Sequence, residues 1–371
     1  MTWTPHQQPW DRTHAAHLFR RVAFGANATE LERALADGPA KTIYRLLKPA
    51  ADVAAFNREM DACETLSLPE LRGWWLRRMM LTPHPLLEKM TLFWHGWFGV
   101  GHNRVNHAGF MRDHIRALRA HALGKLDALL GAIVHDPAVF LAAGGANNPK
   151  ALPNEYFARQ LLARYTVGTG QFSPRDVTDT ARAFTGYHVR GGKWRDVPTD
   201  HDAGPKTIFG QTGTWTPADF ARLAAKQPAL ARRVVRALYR QFISEEQEPS
   251  NDVIEPLARS FAADLDIGKL VATMLRSQIF FASPAQRVKS PVELAVGICR
   301  TLGVTVPTLP LGAELAELGQ NLYQPPTLKG WPGGRAWINH ATIVGRTKLA
   351  TRLVGNKKFP ADPASPEFQL A

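Results

Sequence analysis

Three short polar segments contain the side chains that are best suited to proton transfer or metal binding. They are centred on His95, on Glu155 with Arg159, and on His201, Asp202 and Lys206. Imidazole and carboxylate groups are the commonest general acids and bases, and together they also form ligand sets that suit Zn, Fe or Mn. We therefore predict that the segments meet in one cavity, where a divalent metal or an acid–base pair supports hydrolytic or redox chemistry.

Histidines are concentrated in one part of the chain, because seven of the 13 lie between residues 84 and 135. His95 lies in the aromatic run KMTLFWHGWF (89–98), which would exclude water, and a buried imidazole needs a partner for each ring nitrogen. The predicted metal ligands are His95, His121, Glu155 and His201. For any single histidine the alternative is an ordinary hydrogen-bonded or surface imidazole, since the zinc spacings HxxxH and HExxH are missing from the sequence.

The segment NEYFARQLL (154–162) places Glu155 and Arg159 one helical turn apart. In the catalytic interpretation, the carboxylate in the first turn points at a metal or a proton, and the guanidinium fixes it. The structural alternative is an i,i+4 ion pair that contributes about 0.3 kcal/mol. The aromatic and aliphatic neighbours predict that the pair is partly buried.

The segment HDAGPK (201–206) places two titratable groups on a tight turn next to a lysine. His201 and Asp202 are the predicted acid–base pair, and Lys206 completes the catalytic set, because ordered loops often carry catalysis. The glycines that follow do not have the order of a phosphate-binding loop. An ordered turn with a solvated Lys206 is the alternative.

Helical patterns must position these segments. Apolar residues recur at helical spacing in runs that include 68–80, 85–98, 110–135, 154–167, 173–184, 216–225, 229–243 and 251–265. Ser173-Pro174 and Thr216-Pro217, each followed by an acid at the third helical position, are typical of helix starts. The best strand signal is a hairpin in which Gly191-Gly192 joins two alternating segments. We predict a mainly α fold: one large multi-helical domain (1–355) with a small β-hairpin and ordered loops inserted at about 186–215, followed by a disordered tail (356–371).

Composition narrows the possible classes of protein. The chain has 371 residues, of which 45% are hydrophobic and 21% are charged, so a largely disordered chain is excluded. No apolar run is long enough to span a membrane. The first residues, MTWTPHQQPWDRTHAAHLF, lack the pattern of a signal peptide, so we expect a cytoplasmic location, with export alongside a partner left open.

The net charge of +13 is the strongest compositional signal of a binding partner. The excess is spread over both halves of the chain, but two predicted helical stretches are locally rich in arginine. They carry Arg112, Arg116 and Arg119, and Arg232, Arg233, Arg236 and Arg240. Nucleic acid is an unlikely partner, because aromatic residues are not interleaved with these arginines as they are in single-strand binders. We interpret the second stripe as a solvated helix face.

Several segments resemble, in order along the chain, the bacterial domain-of-unknown-function family numbered eighteen hundred. They include HLFRRVAFG (17–25), KMTLFWHGWF (89–98), RAHALG (119–124), DVTDTARAFTG (176–186), HDAGPK (201–206), VKSPVE (288–293), and the stretch from Gly319-Gln320 to Gly330-Trp331. The resemblance implies a mostly helical fold, no established activity, and a partner from a sulfatase-like uncharacterised family whose genes often lie nearby. The family usually has a second histidine where this chain has Trp97, so a metal site that used both would lose one ligand here.

Two functions follow from these observations. The first is an enzyme whose His, Glu and Asp side chains form one site, with or without a divalent metal. The second is a non-catalytic basic scaffold that binds an acidic protein or polymer.

Overall fold

The computed structural model describes residues 3–48, 53–62, 67–283 and 287–355. It is 63% helical with two small antiparallel sheets, which confirms the predicted mainly α class. Cys63 and the expected disordered tail (356–371) lie outside the described residues.

The first helices pack on one another around the aromatic run at 89–98. They are α1 (Arg12–Val22), α2 (Ala28–Leu47), α3 (Val53–Asp61), α4 (Leu68–Leu81) and α5 (Pro85–Phe98). Gly38 has a φ of 74° inside α2, so the helix kinks there, just before Pro39. Ten of the 14 residues of α5 are buried, including Glu88, Lys89 and His95, so this helix lies in the centre of the fold.

The run at 110–135 is two helices rather than the single long one that its periodicity predicts. This region contains α6 (His102–Val105), α7 (Ala108–His121), α8 (Leu126–Ile133) and α9 (Pro137–Ala142). Between α7 and α8 the backbone pairs with a distant segment: Leu126 N donates to Leu265 O and Ile267 N donates to Gly124 O. These long-range hydrogen bonds replace helical ones and explain the break.

The middle of the chain contains both sheets. It has α10 (Glu155–Gln160), a π-helical turn (Leu161–Tyr165), α11 (Pro174–Ala183), β1 (Tyr187–Arg190), β2 (Lys193–Asp196), a 3-10 turn (Pro198–Asp200), β3 (Lys206–Ile208) and β4 (Gln211–Gly213). The predicted hairpin is confirmed, with Arg190 opposite Lys193 across Gly191-Gly192. The second hairpin, β3–β4, was not predicted; its Lys206 pairs with Gly213.

The remaining helices complete the hydrophobic core. They are α12 (Pro217–Ala225), α13 (Pro228–Phe242), α14 (Asn251–Asp264), α15 (Ile267–Arg276), α16 (Gln278–Phe281), α17 (Pro291–Leu302), α18 (Thr308–Glu317) and α19 (His340–Val354), with a 3-10 turn at Gly334–Trp337. Capping boxes begin α11 at Ser173 and α12 at Thr216, as predicted. One cluster of buried hydrophobic residues joins helices from Ala15 to Leu353. Within the described ranges, the helices are too short or too polar for any of them to traverse a lipid bilayer.

Candidate functional site

The loop of His201, Asp202 and Lys206 is fastened to α11. Arg182 Nε donates to Asp202 Oδ2 at 2.7 Å, and Lys206 Nζ donates to the carbonyl oxygens of Asp202 and Gly204. His201 Nδ1 lies 2.9 Å from the carbonyl oxygen of Thr185. The hydrogen bond from Arg182 is the main reason that the pKa of Asp202 is lowered to about 2, which makes this carboxylate a weak base. Lys206 is buried, not solvated.

Acidic side chains of α11 hold the rest of this loop. Asp179 Oδ2 accepts from Thr207 N at 2.6 Å, and Asp176 Oδ1 accepts from Phe209 N at 2.6 Å. Hydrogen bonds within the fold therefore account for most polar groups of HDAGPK. The arrangement supports the structural alternative of an ordered turn.

Glu155 and Arg159 lie at the start of α10, and both are exposed, contrary to the expected partial burial. Glu155 Oε1 accepts from Thr178 Oγ1 at 2.7 Å. In the described structure no ion pair joins Glu155 to Arg159. Their spacing permits such a pair, but tertiary packing gives the carboxylate a different partner.

The predicted metal ligands are not assembled into one group. Among residues 3–48, 53–62, 67–283 and 287–355, no three His, Cys, Asp or Glu side chains are placed to hold a metal ion. His95 is in the core, His121 is at the half-buried end of α7, Glu155 is exposed, and His201 contacts the end of α11. The convergence of the three segments in one cavity therefore stays a prediction, and no metal-binding group in the described residues supports it.

His95 is buried among aromatic rings, as its sequence context predicts. Its ring centre lies 5.3 Å from that of Trp331, 5.6 Å from that of Trp75 and 6.1 Å from that of His114. Neither ring nitrogen has a hydrogen-bond partner among the described residues. Burial holds the pKa of His95 well below its usual value, so the ring is neutral at pH 7. His114 differs, because its Nδ1 lies 2.6 Å from Asp136 Oδ2.

Buried charges precede His95 on α5 and connect this helix to α17. Lys89 Nζ lies 2.5 Å from Glu293 Oε1, and Arg287 Nη1 lies 2.7 Å from the same oxygen. The neighbouring Glu88 binds Arg78 and Arg119. Three of the segments that resemble the family therefore meet at Lys89, because Phe24 of the first also covers Lys89 Nζ at 4.9 Å.

The loop that carries Trp331 packs directly on α5. Gly330 has a φ of 76°, and a Cβ built on it would overlap the carbonyl of Gly96. Trp331 contacts His95 from this position. The close approach requires glycine, since only glycine avoids both the left-handed strain and the overlap.

We expect Gly330→Ala to lower the free energy of unfolding by about 2 kcal/mol, because the added methyl must displace the loop from α5. Gly210→Ala is the matched control: its φ is 75°, and a Cβ there meets nothing within 4 Å. Urea denaturation measures both losses. Equal losses would show that backbone strain alone, and not the contact with Gly96, determines the effect.

The second arginine stripe lines a groove of about 520 Å³ on α13. We call this surface the arginine groove and define it by Trp97, Arg232, Arg233, Arg236 and Arg240. The guanidinium carbon of Arg233 lies 4.3 Å from the centre of the Trp97 ring. Its nitrogens donate to the carbonyl oxygens of Thr166 and Arg164 at 2.7 and 2.6 Å.

Two glutamates partly neutralise the arginine groove. Glu248 accepts from Arg236 at 2.9 Å and from Arg240 at 2.5 Å, and Glu255 accepts from Arg232 at 2.6 Å. Four guanidinium groups thus face two carboxylates. Burial lowers the pKa of Arg233 to about 10, so it stays charged at pH 7 without a carboxylate contact in the described structure.

Sequence reasoning identified the arginine stripe but missed its aromatic member. Trp97 comes from α5, and in the sequence it stands out only because the family usually has a histidine at this position. The buried pairs Lys89–Glu293 and His114–Asp136 were also missed. Their signal in the sequence is a charged residue inside an apolar helical run, as Lys89 is in 85–98.

Comparison with known proteins gives one family. The model of a family described as a protein of unknown function (DUF1800) matches residues 17–369. No curated protein matches the chain, and no solved structure does. The matched region includes α5, the loop of Trp331, the HDAGPK turn and the arginine groove. The chain therefore belongs to the DUF1800 family.

Proposed function

We propose that this protein is a non-catalytic binding partner that docks an acidic segment of another protein in the arginine groove. The observation that carries the proposal is the position of Trp97 beneath Arg233 in a groove with a surplus of guanidinium groups. Hydrogen bonds to backbone carbonyls hold Arg233 in place, so little side-chain freedom is lost when an anion binds. The sulfatase-like family implied by the resemblance is the proposed source of the partner.

The composition of the groove favours a peptide over a polyphosphate backbone. Val167, Ala229 and Ala237 provide apolar lining beside the arginines. Glu248 and Glu255 would repel closely spaced phosphates, whereas a segment that mixes acidic and apolar residues can avoid them. The groove also has a single tryptophan, whereas proteins that bind single-stranded nucleic acid present a succession of aromatic residues on which the bases stack.

The enzyme hypothesis has less support from the geometry. Its proposed acid–base pair, His201 and Asp202, has a carboxylate whose pKa is lowered to about 2 by its bond to Arg182. A general base works best with a pKa near the operating pH. The form of the enzyme hypothesis that includes a divalent metal is tested by elemental analysis of the purified protein for Zn, Fe and Mn.

The binding proposal is tested with a fluorescein-labelled peptide of alternating glutamate and leucine residues. Fluorescence anisotropy should show binding that weakens as salt is added, since exposed charges are screened. The double variant Arg236→Glu/Arg240→Glu should weaken binding by about tenfold or more, because it reverses the local charge.

The matched control is Arg352→Glu, which alters another exposed arginine that pairs with Glu314 at 2.7 Å. It should bind the peptide like the unchanged protein, although it too replaces an arginine with a glutamate. Equal weakening in the control and the groove variant would mean that only overall charge matters. Tighter binding of an oligothymidylate than of the peptide would replace the proposed partner with nucleic acid.

A further inference from the structure

An open cavity of about 750 Å³ lies between α3, α5 and α7, and it shares no lining residue with the arginine groove. Its apolar lining includes Leu47, Val53, Leu87 and Leu123. Its polar lining includes His84, Arg78, Arg116 and Arg119. Apolar walls with a few convergent polar groups, at this volume, are typical of sites for small molecules.

The polar end of the cavity has a surplus of positive charge. Arg78 and Arg119 are both buried, and they share one fully buried carboxylate, Glu88. Asp61 lies at 3.4 Å from Arg78 Nη1 but is about half exposed, as its side chain keeps 47% of its accessible surface. The buried part of this cluster therefore carries one more positive than negative charge.

Arg116 adds a further cation at the half-buried wall. Its Nη2 donates to the carbonyl oxygen of Asp61 at 3.1 Å, and its Nη1 lies 3.8 Å from the exposed carboxylate of Asp113. At the latter distance the pair is weak and solvated. Arg116 can therefore turn toward an anion in the cavity.

His84 lies in the wall of the same cavity, but its ring nitrogens do not face the open volume. Its Nε2 lies 2.9 Å from the carbonyl oxygen of Leu46, and its Nδ1 is buried with almost no accessible surface. Burial lowers the pKa of His84, so the ring is neutral at pH 7. The ring therefore adds no charge to the polar end of the cavity.

We propose that this cavity binds an apolar carboxylic acid. Arg116 recognises the carboxylate, since a planar guanidinium matches a carboxylate. Arg119, whose Nε and Nη2 bind Glu88, adds positive charge beside it. The hydrocarbon chain lies along Leu87 and Leu123. A monoanion matches the single buried surplus charge better than a doubly charged phosphate does.

The test uses isothermal titration calorimetry with decanoate and decanol as probes. Decanoate should bind at least about tenfold more tightly than decanol, because only the acid can pair with the guanidinium groups. Equal affinities for decanoate and decanol would overturn the proposal.

Two variants locate the binding site. Ala120→Trp fills the mouth of the cavity from an exposed position, so it should abolish binding while leaving the fold intact. Arg116→Gln should weaken decanoate binding about fivefold with little effect on decanol. Arg112→Gln changes an arginine of the same helix outside the cavity and should have no effect. Unchanged binding in Ala120→Trp, or an equal loss in Arg112→Gln, would contradict the assignment.

Discussion

Glu88→Gln is expected to lower the free energy of unfolding by about 3–5 kcal/mol, the usual range when one partner of a buried ion pair is removed. Glu88 is fully buried and binds two guanidinium groups: its Oε1 accepts from Arg78 Nε at 2.6 Å and from Arg119 Nε at 2.7 Å. Its Oε2 accepts from Trp75 Nε1 at 2.9 Å. The variant leaves both cations without their buried counter-charge, and only Arg78 keeps a half-exposed carboxylate, that of Asp61, at 3.4 Å.

Urea denaturation monitored by circular dichroism measures the loss. Glu314→Gln is the control, because its pair with Arg352 is exposed and should contribute less than about 1 kcal/mol. If Glu88→Gln does not accumulate as folded protein, the double variant Glu88→Gln/Arg119→Met should recover part of the yield by removing one unpaired cation. A loss as small as the control's would contradict the expected dependence of Arg78 and Arg119 on Glu88.

The free energy of unfolding is expected to rise by several kcal/mol between about pH 7 and pH 9. Burial lowers the pKa of Lys289 to about 7 and that of Lys89 to about 8, against an ordinary value of 10.5. Between the folded and the unfolded pKa, the unfolded chain binds more protons, so stability increases with pH. Each lysine contributes up to about 1.4 kcal/mol per pH unit in this window.

The rise in the free energy of unfolding should end at higher pH. Burial raises the pKa of Cys299 to about 11, and it also raises the pKa values of Tyr165 and Tyr323. These groups lose their protons first in the unfolded chain, so stability is lost above about pH 9–10. Stability is therefore expected to be maximal on the alkaline side of neutrality.

Lys289→Met tests the origin of the slope. The stability of the variant should increase less steeply from pH 7 toward pH 9, as measured by urea denaturation at several pH values. Lys348→Met, at an exposed position, should leave the slope unchanged. An unaltered slope in Lys289→Met would show that this amine does not titrate in the window.

Local patterns in the sequence predict the elements of this fold better than they predict its breaks. The hairpin at Gly191-Gly192 and the caps at Ser173 and Thr216 depend on neighbouring residues, and all three are confirmed. The break between α7 and α8 depends on hydrogen bonds to residues 265–267, which periodicity does not reveal. The strand pair β3–β4 is too short to leave an alternating pattern.

The candidate sites depend even more on distant contacts. The burial of His95 follows from its aromatic neighbours, so it could be predicted. The pairing of Lys89 with Glu293 joins positions about two hundred residues apart, and the contact of Trp97 with Arg233 of α13 joins positions 136 residues apart. Residue types show that such charges need partners, but tertiary packing selects which ones.

The contacts of α1 have a consequence for biosynthesis. His17 Nε2 lies 3.0 Å from the carbonyl oxygen of Phe280, 263 residues later, and Arg21 Nη2 donates to the carbonyl oxygens of Ile243 and Ser283. At ordinary translation rates, roughly 10–50 s separate the emergence of these partners from the ribosome. During that interval the part of α1 that packs on residues 243–283 has no native surface to cover it, so the nascent chain is a natural client for ribosome-associated chaperones.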